Sequence, residues 1–195
     1  AAARQARAPS GAIVPAGPAT AVVLPPESSR VDFEGEIALV VKHRLRRVTV
    51  TEALAGILGV TCANDVSARD LQKRDGSFSG AKSFDTFCPL GPAILLDPDF
   101  AGLEVRTRVN GVERQHGRVG EMVFGFAELL ACASCRMTLE PGDIFLTGTP
   151  AGVGPLESIT LVQDGVGMGA MRASIRNRAS ARPDRSAGRL RDWRA

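Results

Sequence analysis

The 195-residue chain contains no tyrosine, one tryptophan and two histidines, and it lacks any long apolar run. No hydrophobic stretch approaches the roughly 20 residues that a membrane-spanning helix needs, and none is typical of a secretory leader. We therefore expect a cytoplasmic protein without a membrane attachment, in which the cysteines are reduced thiols. The first residue is alanine rather than methionine, which is typical of a fragment or a trimmed chain.

Positive charge is scarce in most of the chain, although the whole sequence has a net charge of +3. Residues 178–195 hold six of the 24 lysines and arginines and two of the 21 aspartates and glutamates. The other residues therefore carry 18 basic and 19 acidic side chains. Such a surface has no positive surplus to neutralise a polyphosphate, so we expect the folded part to bind no nucleic acid.

The composition indicates one domain with unstructured ends. A chain of this length that is 44% hydrophobic and 23% charged can bury a sizeable core. Its 21 glycines lie between short aliphatic runs, which favours a strand-rich fold with many turns. Residues 1–20 are rich in Ala, Pro and Gly and are expected to form a loose arm, whereas residues 178–195 are expected to form an Arg-rich disordered tail. The domain would then span residues 21–177.

Hydrophobic periodicity predicts a mixed α/β, β-rich fold with a few short helices. Asn110-Gly111 predicts a type I′ hairpin, because both positions of that turn favour these residue types. The predicted strands are residues 21–24, 31–41, 59–64, 93–96, 103–109, 144–146, 161–166 and 170–175.

Three helices are expected between these strands. The first covers residues 51–58, is capped by Thr49 or Thr51 and stops at Gly59. Ser67 is expected to cap a second, short helix, and the apolar spacing from Phe126 onward predicts a third. Residues 75–80 are expected to form a flexible turn.

Cys132 and Cys135 form a C-x-x-C pattern in the third predicted helix. No second cysteine pair and no neighbouring histidine accompanies them, so a zinc site is weakly supported. The alternatives are two thiols packed against the helix's neighbours and a redox or metal role.

Residues 31–41 form the segment around which we organise the functional hypothesis. In a strand, side chains two residues apart share a face, so Glu34 and Glu36 point the same way, roughly 6.5–7 Å apart. Two carboxylates beside a hydrophobic run repel each other unless a cation lies between them. The alternative is a solvated strand end at which the glutamates only cap the sheet edge.

Three further segments carry polar residues that could join these glutamates. Asp65 precedes a short helix whose Arg69 and Gln72 share one face, and the alternative for Asp65 and Arg69 is a local ion pair or cap. Lys82 is either partly buried or an ordinary surface lysine. The glycine-rich loop 147–154 can present N–H groups and hydroxyls to a small anion, or it is a plain surface turn.

Taken together, several stretches resemble the fumarylacetoacetate hydrolase family. They occur in the family's order over about residues 22–177, and as a set they are far more specific than any one of them. The stretches are VDFEGEIALVV, TCANDVSARDLQ, AKSFDTFCPLGPAIL, RVNGVERQ, MTLEPGDIFLTGTPAGVG and GVGMGAMRASIRN.

The resemblance implies a β-rich fold in which the sheets roll around a shallow metal pocket, assembled as a homodimer. It also implies that Glu34, Glu36 and Asp65 bind one Mg²⁺ or Mn²⁺, since three carboxylates with open positions suit a hard octahedral cation. The residues that would face the substrate match the family's arginine, glutamine, lysine and threonine. They are the catalytic Arg69 and Lys82 and the substrate-binding Gln72 and Thr149.

The family's chemistry implies a small-molecule substrate that is a 2-oxo acid or its enol. The cation would act as a Lewis acid toward the developing enolate, and Lys82 and Arg69 would add positive charge near the same oxygens. C–C hydrolysis, decarboxylation and isomerisation can all start from that enolate. The specific forms are a 2-hydroxyhepta-2,4-diene-1,7-dioate isomerase, an acylpyruvate or fumarylacetoacetate hydrolase, and an oxaloacetate decarboxylase.

The sequence departs from the hydrolytic members at one motif. Those members carry an N-Y-x-x-H-x-x-E segment whose His–Glu pair activates water, and here His43 and His116 both lie in other contexts. Without an activated water, hydrolysis is the least favoured of the three outcomes. His43 is expected to be solvent-exposed, and His116 could reach a pocket. The alternative function is a catalytically silent, truncated paralogue that keeps the fold.

Overall fold

The computed structural model describes residues 15–16, 21–156, 160–165 and 169–177. Over these residues the chain is a mixed α/β fold rich in strands with few, short helices, which confirms the predicted class. Of the predicted arm, residues 1–20, only Pro15–Ala16 lies in the described part. The predicted tail, residues 178–195, falls outside it.

The strands and helices are numbered here in chain order. The strands are β1 Pro15–Ala16, β2 Val22–Leu24, β3 Val31–Phe33, β4 Gly35–Val41, β5 Ile57–Asn64, β6 Ser67–Ala68, β7 Cys88–Pro89, β8 Leu95–Leu96, β9 Glu104–Val109, β10 Val112–Arg118, β11 Ile144–Leu146, β12 Gly154–Pro155, β13 Thr160–Gly165 and β14 Gly169–Asn177. The helices are α1 Val50–Ala55, α2 Arg69–Asp75, α3 Phe78–Lys82 and α4 Phe126–Arg136, with 3-10 turns at Phe100–Gly102 and Val119–Glu121.

The described strands pair into four sheets. A four-stranded sheet has the order β11-β4-β5-β8, and its central strands β4 and β5 are antiparallel. A five-stranded sheet has the order β10-β9-β13-β14-β2, a three-stranded sheet has the order β12-β3-β6, and β1 pairs with β7. The finer prediction, that the sheets roll around a pocket, stays a prediction.

Two apolar clusters form the core, and the residues on the two sides of Glu34 belong to different clusters. Phe33 of β3 is buried in one cluster together with Phe87. Leu39 of β4 is buried in the other, together with Leu130 of α4. Because burial of such a side chain contributes about 1.5–3 kcal/mol, both flanks of this segment are held firmly.

The predicted strand 31–41 is interrupted at Glu34, which separates β3 from β4. The N–H of Glu34 donates to Oδ1 of Asn64 at 2.9 Å, and the N–H of Gly35 donates to Oε1 of Gln115 at 3.0 Å. Side chains therefore satisfy backbone groups that a continuous ladder would otherwise pair. The prediction of one unbroken strand was wrong because both acceptors come from distant parts of the chain.

The first helix ends earlier than predicted. Thr49 caps α1 in a capping box with Glu52, but the helix ends at Gly56 rather than at Gly59. Gly59 lies in β5, where a Cβ atom would stand 2.4 Å from the carbonyl oxygen of Leu95. Glycine at this position permits the close approach of β8 and does not terminate a helix.

Two local predictions near the second helix were also wrong. The N-cap of α2 is Ala68, without a side-chain hydrogen bond. Ser67 instead donates its hydroxyl to the carbonyl of Asp65 at 3.0 Å. The predicted turn at residues 75–80 contains the start of α3, which Ser77 caps. The serine hydroxyls find nearer partners than the sequence pattern indicates.

The Asn110-Gly111 hairpin is confirmed. Both residues have positive φ, 52° and 80°, as a type I′ turn requires. Buried and half-buried residues alternate along β9, which matches the predicted half-exposed strand. The packed alternative for the C-x-x-C thiols was wrong, because Cys132 and Cys135 are both exposed on α4.

Gly152 fixes the loop after β11 against β10. Its φ is +104°, and a Cβ atom would stand 1.9 Å from the carbonyl oxygen of Arg114. We expect Gly152→Ala to lower the free energy of unfolding by roughly 3 kcal/mol or more. The alanine would adopt a strained positive φ, and the backbone at Arg114 would have to move away from its Cβ atom. Urea unfolding measures the change.

Gly76→Ala is the matched control. Gly76 also has positive φ, +60°, but nothing lies within 4 Å of its added Cβ. This variant should lose only about 1 kcal/mol, the cost of a left-handed conformation. Equal losses in the two variants would contradict the proposed contact between the loop and β10.

Candidate metal and active site

Three carboxylates converge where β4 and β5 run side by side. Glu34 precedes β4, Glu36 lies within it, and Asp65 follows β5 directly. The antiparallel register places Gly35 opposite Asn64, and the N–H of Asp65 donates to the carbonyl of Glu34 at 2.9 Å. One oxygen of each carboxylate lies within 4.8 Å of one oxygen of each of the others. The sequence therefore correctly predicts that these side chains come together.

All three carboxylates are buried, with exposed fractions of 8% for Glu34, 3% for Glu36 and 6% for Asp65. The alternative of a solvated strand end is therefore wrong. Buried like charges at this separation repel each other strongly unless cations compensate them.

Two cationic side chains lie against the carboxylates. Lys82 donates from Nζ to Oε2 of Glu34 at 2.9 Å and also to Oδ2 of Asp65. Arg69 donates to Oε1 of Glu34, and its Nε is 3.1 Å from Oδ2 of Asp32. Because the side chain of Lys82 is only 14% exposed, the partly buried alternative for this lysine is confirmed.

Gln72 supports this arrangement from α2. Its Oε1 accepts a hydrogen bond from Nη1 of Arg69 at 3.0 Å. The helical spacing predicts that these two side chains share a face, and they do.

Lys82 is further held by the ring of Phe78, whose centroid is 5.6 Å from Nζ.

The carboxylate cluster fits a hard divalent cation. Within the described part of the chain, Oδ1 of Asp65 is buried and accepts no hydrogen bond. An unsatisfied buried carboxylate oxygen is costly, and a metal ion is a common reason for one. The donor atoms are all oxygens, which is the set that Mg²⁺ and Mn²⁺ prefer.

Thr149 and Gln115 fix the backbone between the two glutamates. Thr149 donates its hydroxyl to the carbonyl of Gly35 at 2.8 Å, and Gln115 accepts from the N–H of Gly35. Gln115 also donates from Nε2 to Oγ1 of Thr149 at 2.7 Å and to the carbonyl of Pro150 at 2.9 Å. The structure thus places Thr149 beside the carboxylates, as a tie to their backbone.

Glu36 receives a hydrogen bond from the same loop. The N–H of Gly148 donates to its Oε2 at 2.8 Å. The sequence left two alternatives for the loop 147–154, a plain surface turn or a loop that contacts an anion. The loop in fact binds a carboxylate of the protein itself.

Sequence reasoning missed Gln115 and Asn64. Gln115 is 1% exposed in a strand whose neighbours are mostly exposed, and Asn64 is fully buried. The available signal was that the resemblance covers both residues, Gln115 in RVNGVERQ and Asn64 in TCANDVSARDLQ, without indicating a role for either.

The chain matches the model of the fumarylacetoacetate hydrolase C-terminal family over residues 9–179. It belongs to the fumarylacetoacetate hydrolase family. It is also similar to the crystal structure of a 2-hydroxyhepta-2,4-diene-1,7-dioate isomerase from Mycobacterium marinum, with a TM-score of 0.83 and 43% identity. That match covers 86% of this chain and 67% of the isomerase chain.

Two curated relatives show comparable identity. Protein Rv2993c of Mycobacterium tuberculosis is 46% identical over 165 residues, which are 82% of this chain and 62% of the relative. The mitochondrial oxaloacetate tautomerase FAHD2A of Homo sapiens is 46% identical over 143 residues, which are 71% of this chain and 46% of the tautomerase. The chain therefore spans less than two thirds of the length of either relative.

In this family member His116 lines a cavity of about 490 Å³, as the sequence left open. Its Nε2 is 3.0 Å from Oε2 of Glu104. Ile37 also lines this cavity. Gly148 and Thr149, which contact Glu36 and the carbonyl of Gly35, line it as well. His43 is exposed, as predicted.

None of the helices in the described residues has the length and apolar character that crossing a membrane requires.

The electrostatics of the cluster follow from its burial. Burial, with the nearby charge of Asp65, raises the pKa of Glu36 from its ordinary 4.5 to about 8, although the N–H of Gly148 opposes the rise. Burial also raises the pKa of Asp65 against the effect of Lys82. Burial alone would lower the pKa of Lys82, but its ion pairs with Asp65 and Glu34 raise it. Lys82 is therefore a cation at neutral pH.

The raised pKa of Glu36 predicts that, with metal ions removed by EDTA, the free energy of unfolding depends on pH in an unusual way. Between about pH 5.5 and 7.5 the folded protein keeps a proton on Glu36, whereas the unfolded chain has released it. The free energy of unfolding should therefore fall as the pH rises, by about 1.4 kcal/mol per pH unit from this group. Urea unfolding in EDTA across this window measures the slope.

Glu36→Gln is the control, because the amide carries no titrating proton. Its slope should be less negative than that of the unchanged protein by about the same amount. Equal slopes in the two proteins would show that Glu36 titrates near its ordinary value.

Gln115 should be important for stability, because it satisfies three polar groups at once. We expect Gln115→Met to lower the free energy of unfolding by about 2–4 kcal/mol, since the N–H of Gly35 and the carbonyl of Pro150 lose their partner. Arg114→Met, at an exposed neighbour on β10, should change it by less than about 0.5 kcal/mol. Chemical denaturation of the unchanged protein and the two variants measures these changes. Equal, small losses in both variants would contradict the role of Gln115.

Proposed function

We propose that this chain is a divalent-metal-dependent enzyme that isomerises or tautomerises a small 2-oxo acid or its enol. The convergence of Glu34, Glu36 and Asp65 within 4.8 Å of one another, buried and beside Lys82, is the observation that carries the proposal. Membership in the fumarylacetoacetate hydrolase family supports it.

Glu34, Glu36 and Asp65 would hold the cation, Mg²⁺ or Mn²⁺. The unsatisfied Oδ1 of Asp65 and the all-oxygen donor set support this assignment. A bound ion would act as a Lewis acid toward the oxygens of a 2-oxo acid.

Lys82 and Arg69 would stabilise negative charge on the substrate. Both reach the oxygens of Glu34, so a substrate at the open side of the carboxylates would meet their donors. Lys82 keeps its proton because its pKa is raised, and it therefore acts as a hydrogen-bond donor to a developing enolate oxygen rather than as a base. Gln72 would orient the guanidinium of Arg69.

Thr149 would contribute through the loop that it anchors. Its hydroxyl donates to the carbonyl of Gly35 and accepts from Nε2 of Gln115, so the side chain would position the loop rather than donate to the substrate. Gly148 would keep the carboxylate of Glu36 aimed at the ion through its N–H.

Isomerisation or tautomerisation is favoured among the family's reactions by two relatives. The Mycobacterium marinum protein is named an isomerase of a hydroxy-dienoic diacid, and the human relative is named an oxaloacetate tautomerase. Both reactions move a proton between carbon and oxygen and need no attacking water. Decarboxylation and C–C hydrolysis of acylpyruvates are the alternatives, and they share the same enolate.

Metal binding and turnover test the proposal together. We expect Mn²⁺ to bind the unchanged protein, and Glu34→Gln to weaken that binding at least about 100-fold, since a ligand is lost. Isothermal titration with Mn²⁺ measures the affinity. Loss of enol absorbance from oxaloacetate, acylpyruvates and dienoic diacids measures turnover in the same samples.

Two variants separate binding from chemistry. Lys82→Met should bind Mn²⁺ at least as tightly as the unchanged protein and lower turnover by about 100-fold or more, because it removes a charge at the enolate and no metal ligand. Asp75→Asn removes an exposed carboxylate outside the cluster and should change neither measurement. Unaltered Mn²⁺ affinity in Glu34→Gln would refute the metal site. Tight Mn²⁺ binding without turnover of any substrate would instead favour the silent paralogue.

Two further assignments stay proposals. Size-exclusion chromatography with light scattering would test the expected homodimer. A cytoplasmic location is also proposed, and the human relative's name places that protein in mitochondria.

A further inference from the structure

The last turn of α4 carries a pair of exposed thiols outside the carboxylate site. Cys132 and Cys135 are both exposed, whereas Cys62 and Cys88 are buried. The buried face of α4 is formed instead by residues such as Leu130 and Ser134. The C-x-x-C pattern therefore has no packing role, and the function proposed above does not use it.

The helix brings these two thiols to a distance that a disulfide can span. Residues three apart in an α-helix have Cα atoms about 5 Å apart, from its rise of 1.5 Å per residue and radius of about 2.3 Å. Disulfides join Cα atoms about 4.4–6.8 Å apart. The pair lies in the final turn of α4, which ends at Arg136, and helix ends adjust more readily than interiors.

One arginine contacts a thiol of the pair, and a second binds the backbone carbonyls at this end of the helix. Nη1 of Arg136 is 3.1 Å from Sγ of Cys132. Nη1 of Arg46 donates to the carbonyls of Ser134 and Cys135 at 2.8 and 2.9 Å, which offsets the negative end of the helix. Exposed thiols in electropositive surroundings are typical of reactive cysteines.

The same surroundings argue against a metal. Within the residues that the structure describes, no third histidine, cysteine, aspartate or glutamate joins the two thiols as a ligand. A guanidinium in contact with Cys132 Sγ also disfavours a cation there. The chemistry left to the pair is thiol–disulfide exchange.

We propose that Cys132 and Cys135 form a reversible dithiol–disulfide site that reacts with low-molecular-weight disulfides such as oxidised glutathione. The thiolate of Cys132 attacks one sulfur of the small disulfide, which releases one thiol and leaves a mixed disulfide. The thiolate of Cys135 then attacks the sulfur of Cys132 and releases the second thiol. The protein loses two electrons and two protons, which the small disulfide gains as two thiols.

The reduced 195-residue chain and a single tryptic peptide test this proposal. Cleavage after Arg118 and Arg136 yields the peptide 119–136, which contains both cysteines. After incubation with oxidised glutathione, acid quenching, unfolding and alkylation, this peptide should lack the alkyl group and be about 2 Da lighter than its dithiol form. Cys62 and Cys88, which are buried, should be found alkylated, and excess reduced glutathione should restore the dithiol.

Three variants and one control variant sharpen the result. Cys132→Ser and Cys135→Ser should each retain glutathione on the remaining cysteine, because no resolving thiol is present. Arg136→Gln should slow thiol loss about threefold or more; this variant loses the cleavage site at 136, so its thiols are followed in the tryptic peptide 119–172. Arg74→Gln, at an exposed arginine paired with Asp75, should not slow the loss. Glutathione on both cysteines without an internal disulfide, unreacted thiols, or protection of the pair by added Zn²⁺ would each overturn the proposal.

Discussion

Mutual repulsion among Glu34, Glu36 and Asp65 is the constraint on which the site depends. Each is buried, and a lone buried carboxylate would protonate rather than stay charged. Two effects reduce this repulsion. Arg69 and Lys82 form ion pairs with Glu34 and Asp65, and the pKa of Glu36 is raised to about 8, so that Glu36 holds a proton at neutral pH. The three carboxylates therefore differ in their compensation, and the pKa of Glu36 is raised to about 8 while that of Asp65 is raised against the effect of Lys82.

The fold holds this costly arrangement by fixing backbone rather than side chains alone. The chain leaves one apolar cluster at Phe33 and enters another at Ile37. Between them, Asn64 and Gln115 take the N–H groups of Glu34 and Gly35, and Thr149 takes the carbonyl of Gly35. Because these partners come from β5, β10 and the loop after β11, the spacing of the glutamates is set by three separate elements.

The sequence predicts the part of the site that depends on local geometry. The i, i+2 spacing aligns Glu34 with Glu36, and the helical spacing aligns Arg69 with Gln72. The strand-rich class also follows from short aliphatic runs and turn residues. The convergence of Asp65 on the glutamates required the family resemblance, because no local rule brings residues 30 positions apart into contact.

Two of the discrepancies share one physical cause. Gly59 reads as a helix stop, but its lack of a side chain serves the contact with Leu95 in the neighbouring strand. Gln115 received no predicted role, but it fills a buried position between β10 and the loop after β11. In both cases the deciding partner lies at least 30 residues away, beyond the range of any periodicity or capping rule.

The position of Lys82 links the two proposed roles of the site. Its ammonium lies on Glu34 and Asp65, so it serves as their counter-ion whenever no other cation does. A divalent ion carries twice its charge, and would weaken the hold of both carboxylates on Nζ. Lys82 would then direct more of its hydrogen-bonding capacity toward a bound oxo acid. A residue that stabilises the empty cluster would in this way become available to the substrate when the metal is present.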